Sequence, residues 1–433
     1  MEENQVYIPE GWHLKQVQEF ALKMRSGGTP KSDNPKFYNG EIPFVAIDDL
    51  TSVNKYLEKT QKHITKQGLN NSAAWLVPVN TIMYSIYATL GVPRINLIEA
   101  ATNQAILNII PDERKITLEF LFYLLLEKRS SILAHSAHTT QSNLNAKIVK
   151  ELEFVFPVNP TEQIKIATIL SKVDEAITQT EQLIAKYTRI KTGLMQDLLT
   201  KGIDENGNIR SEETHEFKDS PLGRIPKEWE VKKMGDLISA IDPQPDHRTP
   251  AAVTDGVPYV GISDVLENGE IDIKSCRKVG FNVLEKQQRL FKVDSGDLIF
   301  GKIGTIGKPK VLPTFSNHHF TLSANIILIK PHECPDFIYW SLISKYVEDQ
   351  VNLAIHSTSQ PAFGMQKIRD LDILTPLPEE RDRITSNLDK LKKVVLSEKI
   401  KLSKLQSLKT GLMQDLLSGK VRVNHLIKET VSI

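Results

Sequence analysis

The sequence predicts an α+β protein written twice: a mixed strand-and-helix domain followed by one long helix, then the same pair again. Three observations carry this. The string Lys191–Leu199 (KTGLMQDLL) recurs letter for letter as Lys409–Leu417. Shorter matches upstream keep nearly constant spacing. Two long proline-free stretches repeat apolar residues in steps of three and four, the pattern of a coiled-coil seam.

Taken in order, Ile8–Trp12 (IPEGW) answers Ile225–Trp229 (IPKEW), and Gly40–Val45 (GEIPFV) answers Gly256–Val260 (GVPYV). Thr81–Pro93 answers Asp297–Pro309, and Glu119–Tyr123 answers Asp336–Trp340. So long a period marks a duplicated domain, not a solenoid. Short β-rich runs bounded by Gly, Pro and Asn predict strands at Pro43–Ile47, Thr81–Ile86 and Ile106–Ile110. Their counterparts are Pro258–Ile262, Asp297–Phe300 and Asn325–Ile329. One helix is expected over Leu118–Leu133, matched by Pro335–Val351. The seam of the first long helix runs through Ile166, Ile169, Val173, Leu183, Tyr187, Ile190, Leu194 and Leu198. That of the second runs through Ile384, Leu388, Leu391, Val395, Leu402, Leu405, Leu412 and Leu416, and each seam is the other's natural partner. The expected organisation is a mixed domain over 1–157, a long helix over 158–201, a polar linker over 202–224, the second mixed domain over 225–376, the second helix over 377–419 and a tail over 420–433.

Bulk properties narrow the function. The chain has 433 residues, 40% hydrophobic and 25% charged, as in an ordinary globular protein. No apolar run is long enough for a bilayer, and the start has no signal-peptide pattern, so a cytoplasmic protein without membrane contact is expected. Two cysteines, Cys276 and Cys334, make no disulfide framework. Lys+Arg 54 against Asp+Glu 53 argues against a non-specific polyanion binder. A DNA reader stays possible, because steering depends on where charges sit.

Local motifs then point to a family. Ser26-Gly27-Gly28-Thr29-Pro30 followed by Gly40–Val45 resembles the opening of target-recognition domains in type I restriction-modification specificity subunits. Ser295–Phe300 followed by Gly304–Lys308 is similar to their central glycine motif. Lys367–Leu371, Pro376-Leu377-Pro378 and Glu380 resemble the segment that opens the long helix, as do Pro157, Pro160, Glu162 and Gln163 in the first copy. The copies depart from each other at Ala88–Gly91, and the second lacks the Gly-Gly-Thr-Pro box and has Asp242-Pro243-Gln244-Pro245 nearby. The resemblance implies two target-recognition domains, one for each half-site of a split target in double-stranded DNA. It implies that the long helices pair as an antiparallel coiled coil holding the domains apart. It implies two modification (methyltransferase) subunits as partners, carrying the S-adenosylmethionine, and restriction (nuclease and translocase) subunits joining them. This chain would hold no cofactor and perform no catalysis.

Rival readings of single motifs are weaker. Gly301–Lys310 (GKIGTIGKPK) has the wrong spacing for a phosphate loop, and Pro309 stands where Ser or Thr should; a tight turn between strands is expected. Asp242–Pro245 lacks the aromatic residue that would stack on a flipped base. The histidines have no accompanying metal-site spacing. The polar runs His135–Lys147 and His356–Lys367 fall at matching places, and their side chains suit base edges and phosphates. The candidate DNA-binding set is therefore Lys31, Arg94, His135, His138, Gln141, Asn143 and Lys147 in the first copy. In the second it is Lys278, Arg289, Lys302, Lys308, Lys310, His318, His319, His356, Ser359, Gln360 and Lys367. Intervening loops such as Lys59–Ala74 and Lys274–Arg289 share little, so two unlike half-sites are expected. The alternative is a coiled-coil scaffold spacing two protein-binding modules.

Overall fold

The two domains build matching pairs of sheets whose strands, one edge strand apart, follow the same order, as seen in a computed structural model. It describes residues 7–427 apart from 88, 138–143, 245–248, 268, 314–318 and 357–361, with the backbone alone at 135–137 and 356. In the first domain the main sheet runs Ala21–Ser26, Ile106–Pro111, Ile82–Ser85, Pro93–Asn96, Tyr56–Leu57. In the second it runs Ile238–Ile241, Ile326–Pro331, Leu298–Gly301, Gly307–Val311. The small sheets are Lys62–Ile64, Tyr38–Val45, Ala101–Thr102 and Lys278–Val279, Ala252–Val260, Thr321–Leu322.

Register is duplicated too. Phe44 pairs with Ala101 in parallel, as Tyr259 does with Thr321. The same strand is bulged against its other neighbour, at Tyr38/Ile42 and at Ala252/Val257. Tyr56–Leu57 has no counterpart strand; the second domain has an isolated Val265↔Ile271 bridge instead. The inner strands Ile82–Ser85 and Leu298–Gly301 are buried throughout, which is why they read as apolar runs without alternation.

The helix expected over Leu118–Leu133 is two helices, Leu118–Glu127 and Arg129–Ala137, and its counterpart is Pro335–Leu342 and Lys345–His356. The second break has a local cause. Ser344 Oγ donates to the Ser341 carbonyl (2.6 Å) and accepts from Val347 N (3.4 Å), ending one helix and capping the next.

The chain forms two units, residues 1–180 with 401–433, and residues 181–400. Their boundary falls inside both long helices, Pro160–Thr200 and Pro378–Leu417. In the first unit the helices run antiparallel, since Glu162 meets Arg422 and Asp174 meets Lys409 (2.6 Å). Ile166, Leu170, Leu416 and Leu417 share one core with the domain. In the second unit Leu198, Leu199, Ile384 and Leu388 do the same. Ile190, placed on the seam by spacing, is 43% exposed and lies off it. Among the described residues no helix is long and apolar enough to cross a membrane.

Each unit is closed by a buried carboxylate in the first turn of a long helix. Glu380 accepts from Ile203 N (2.9 Å), Arg210 Nη1 (3.0 Å) and Trp229 Nε1 (2.9 Å). Glu162 accepts two bonds from Arg422, whose Nη1 also donates to the Glu10 carbonyl (2.8 Å). Gly202 turns the chain over Glu380 with φ +75°, where a Cβ would fall 2.1 Å from Oε1. The stretch 202–224, read as a linker, is thus folded: Ile203 lies in the core and Phe217–Ser220 pairs with Gly223–Pro226. Removing one member of a buried charged pair strands the other. Glu380→Ala should therefore destabilise the second unit by about 3–5 kcal/mol, read by urea unfolding; an unchanged midpoint would show the clasp to be dispensable.

Candidate nucleic-acid interface

The glycine-rich run Gly301–Lys310 is a hairpin between antiparallel strands Leu298–Gly301 and Gly307–Val311. No helix follows it, so it offers none of the helix N-terminal amides that cradle phosphate. The turn is tight: a Cβ on Gly301 would fall 1.6 Å from the Thr305 carbonyl. It is also anchored. Lys302 N donates to the Asn325 carbonyl (2.8 Å), and Lys302 Nζ pairs with buried Asp242 (2.8 Å). Phe363 N donates to the Lys302 carbonyl (2.9 Å), and Ile303 bridges Ala362. The hairpin, the Asp242 turn and the end of the second polar run therefore converge. Asp242 is held there as a structural anion, which accounts for it without a catalytic role.

In the first domain the matching loop is pinned by Ser85, which stands where the second has Gly301. Its hydroxyl donates to the Thr89 carbonyl and accepts from Val92 N. Ile86 N bonds the Ala105 carbonyl (2.9 Å), as Lys302 N bonds Asn325. Beside this loop, Arg94 donates to the Leu50 (2.8 Å) and Pro93 (2.6 Å) carbonyls. Burial, helped by nearby Arg129, lowers its pKa to about 10.

The candidate residues sort accordingly. Lys31, Lys147, Lys278, Arg289, Lys308 and His319 are exposed, and Lys310 is half-buried. Arg289 rides on helix Phe281–Leu290, which Gln287 staples through its amide to the Pro243 and Leu322 carbonyls (2.8 Å each). Three cations are committed internally: Arg94, Lys302, and Lys367, which donates to the Ala354 (3.0 Å) and Ala362 (3.2 Å) carbonyls. Sequence reading could not see this, because each acceptor is supplied by the fold. His138, Gln141, Asn143, His318, Ser359 and Gln360 lie outside the described residues, as do the side chains of His135 and His356. Among the described residues no group of three His, Cys, Asp or Glu could hold a metal ion. Tyr87 and Ile303, which sequence reading did not single out, are exposed at the two loop tips, each two residues after the aligned Ser85 or Gly301.

Lys302 and Lys308 should separate in experiment. Lys302→Ala removes the ion pair to Asp242, whose carboxylate still accepts from Gln244 N (3.0 Å), and should cost about 1–3 kcal/mol of stability in urea unfolding. Lys308→Gln should leave stability unchanged and reduce the salt slope of DNA affinity by about one. The reverse pattern would exchange their roles.

The family model of the type I restriction modification DNA specificity domain matches the chain twice, over residues 9–189 and 226–407. The MjaIX specificity subunit of a type I restriction enzyme from Methanocaldococcus jannaschii is 24% identical over 432 residues, covering 97% of this chain and 95% of the relative. The HindI specificity subunit from Haemophilus influenzae is 28% identical over 155 residues, 35% of this chain and 33% of the relative. Among solved structures, the type I restriction-modification S subunit from M. genitalium superposes with a TM-score of 0.57 at 16% identity, covering 96% of this chain and 97% of that one. A further structure, described by its complex assembly and conformational transition in a type I restriction-modification system, gives a TM-score of 0.54 at 15% identity, covering 96% and 100%. Matched by the family model over both of its domains, the chain belongs to the type I restriction-modification DNA specificity family.

Proposed function

We propose that this chain is the non-catalytic DNA-reading subunit of a type I restriction-modification assembly, with each domain reading one half-site of a split, asymmetric target. The observation that carries this is a frame duplicated to the level of strand register, presenting loops that differ. Equal frames place loops alike, while unlike loops offer different donors and acceptors to base edges. Methyl transfer then belongs to modification subunits, which bring S-adenosylmethionine, and cleavage to restriction subunits.

Two docking surfaces for one kind of modification subunit are supported by the repeated nonapeptide. Its buried leucines, Leu198 and Leu199 or Leu416 and Leu417, serve the core. Its outward residues do not, yet Thr192, Gly193 and Gln196 are identical to Thr410, Gly411 and Gln414. A glycine inside a helix costs about 1 kcal/mol against alanine. A Cβ at Gly193 or Gly411 would meet nothing within 4 Å, so the fold itself gives no reason for either. A partner approaching closely at both places does.

Mapping methylated adenines in cells carrying this chain and its modification subunit should give two unlike half-sites around an unspecified gap. A continuous motif or a perfect palindrome would contradict the reading. Gly193→Leu and Gly411→Leu each favour the helix, and each should leave one modification subunit per assembly in native mass spectrometry. If the double variant still carries two, this face is not where they dock.

A further inference from the structure

We propose that Ile303 and Tyr87 read DNA through apolar contact, each placing its side chain against a thymine methyl in the half-site of its own domain. This rests on the DNA-reading function proposed above. Both residues sit at the tip of the loop joining the same two strands of the main sheet, two positions after Gly301 and Ser85. Ile303 is 48% exposed and Tyr87 40%. Neither contributes to a core cluster, so neither is retained for packing.

The backbone beneath each tip is nonetheless fixed. Ile303 N and Lys302 N both donate to the Asn325 carbonyl (3.3 and 2.8 Å), and Ile303 bridges Ala362. In the first domain Ile86 N is held by the Ala105 carbonyl and Gly91 N by the Ser85 carbonyl (2.9 Å each). An apolar side chain presented to solvent on an anchored loop has the ordering of its backbone completed before binding, which favours tight, specific contact. The chemistry that such a group recognises in DNA is limited. In the major groove, thymine alone among the four bases carries a methyl group, and aliphatic and aromatic side chains cover it. If an adenine is methylated in each half-site, a thymine stands opposite it, so each tip has at least one such group available. Burying one methyl changes affinity about fourfold.

The test uses the assembled complex of this chain with its modification subunits, on a duplex carrying the mapped target. Each thymine is replaced in turn by deoxyuridine, which removes only the methyl. One replacement in each half-site should weaken wild-type binding about fourfold. Ile303→Ala should be insensitive to the replacement in one half-site and keep wild-type sensitivity in the other, and Tyr87→Ala should show the converse. Sensitivity retained in the untouched half-site establishes that each variant is folded. The proposal is overturned if no replacement weakens binding, or if both variants keep the full wild-type pattern. Failure of the wild-type complex to prefer its mapped target would instead overturn the DNA-reading function itself.

Discussion

The buried carboxylates Glu162 and Glu380 are the constraint on which the rest of the architecture depends. An ionised carboxylate taken out of water costs several kcal/mol, and only a full set of donors offsets it. For Glu380 those donors come from Ile203 and Arg210, in the stretch just after the first long helix, and from Trp229. For Glu162 they come from Arg422, 260 residues away. Each clasp therefore fixes where one long helix starts against where the other ends. It also orders assembly. The unit 181–400 is contiguous, whereas the unit holding residues 1–180 is complete only with 401–433. Domains fold as they emerge during synthesis, so the second unit has all its parts before the first does.

Within this frame the two copies keep geometry and exchange chemistry. Each domain docks on a long helix through an aromatic residue bonded to an acid: Tyr123 to Asp174 (2.7 Å) and Trp340 to Asp389 (2.9 Å). Each joint also places an ammonium over an aromatic face, a favourable contact. In the first unit it is Lys55, from the domain, 4.7 Å from the Tyr123 ring. In the second it is Lys392, from the helix, 4.1 Å from the Tyr339 ring, its pKa lowered by burial. Ser85 and Gly301 are another such exchange: a hydroxyl braces one loop, and the absence of a side chain lets the other fold onto itself.

The duplication, the long helices and the inner strands were legible because they are written as local patterns: an exact repeat, a helical period, apolar runs between turn formers. What escaped is what long-range contacts decide. The break at Ser344 is a capping choice inside an otherwise helical pattern. The polar stretch 202–224 reads as a linker because its turn formers dominate, yet Ile203 and Arg210 are drawn in by Glu380. The exposure of Ile190 shows that a period locates a seam more surely than its middle positions. Lys302 and Arg94 carry no mark in the sequence that their charge is committed to Asp242 and to carbonyls.

That commitment bears on how such a protein discriminates. The chain is nearly neutral, and Arg94, Lys302 and Lys367 direct their donors inward. Each phosphate neutralised adds about 0.9 to the salt slope and the same affinity on any sequence. At these three positions the protein gains nothing from this indiscriminate attraction. Its own contribution is then weighted toward base edges, where a good bidentate contact separates right from wrong by about 1–3 kcal/mol. Anchoring the loops through buried bonds serves that weighting, because a contact discriminates only as well as the backbone behind it holds its position. The ion pair of Lys302 and the carbonyl bonds of Lys367, which withdraw charge from solvent, are in this sense the same bonds that hold the backbone around the hairpin in place.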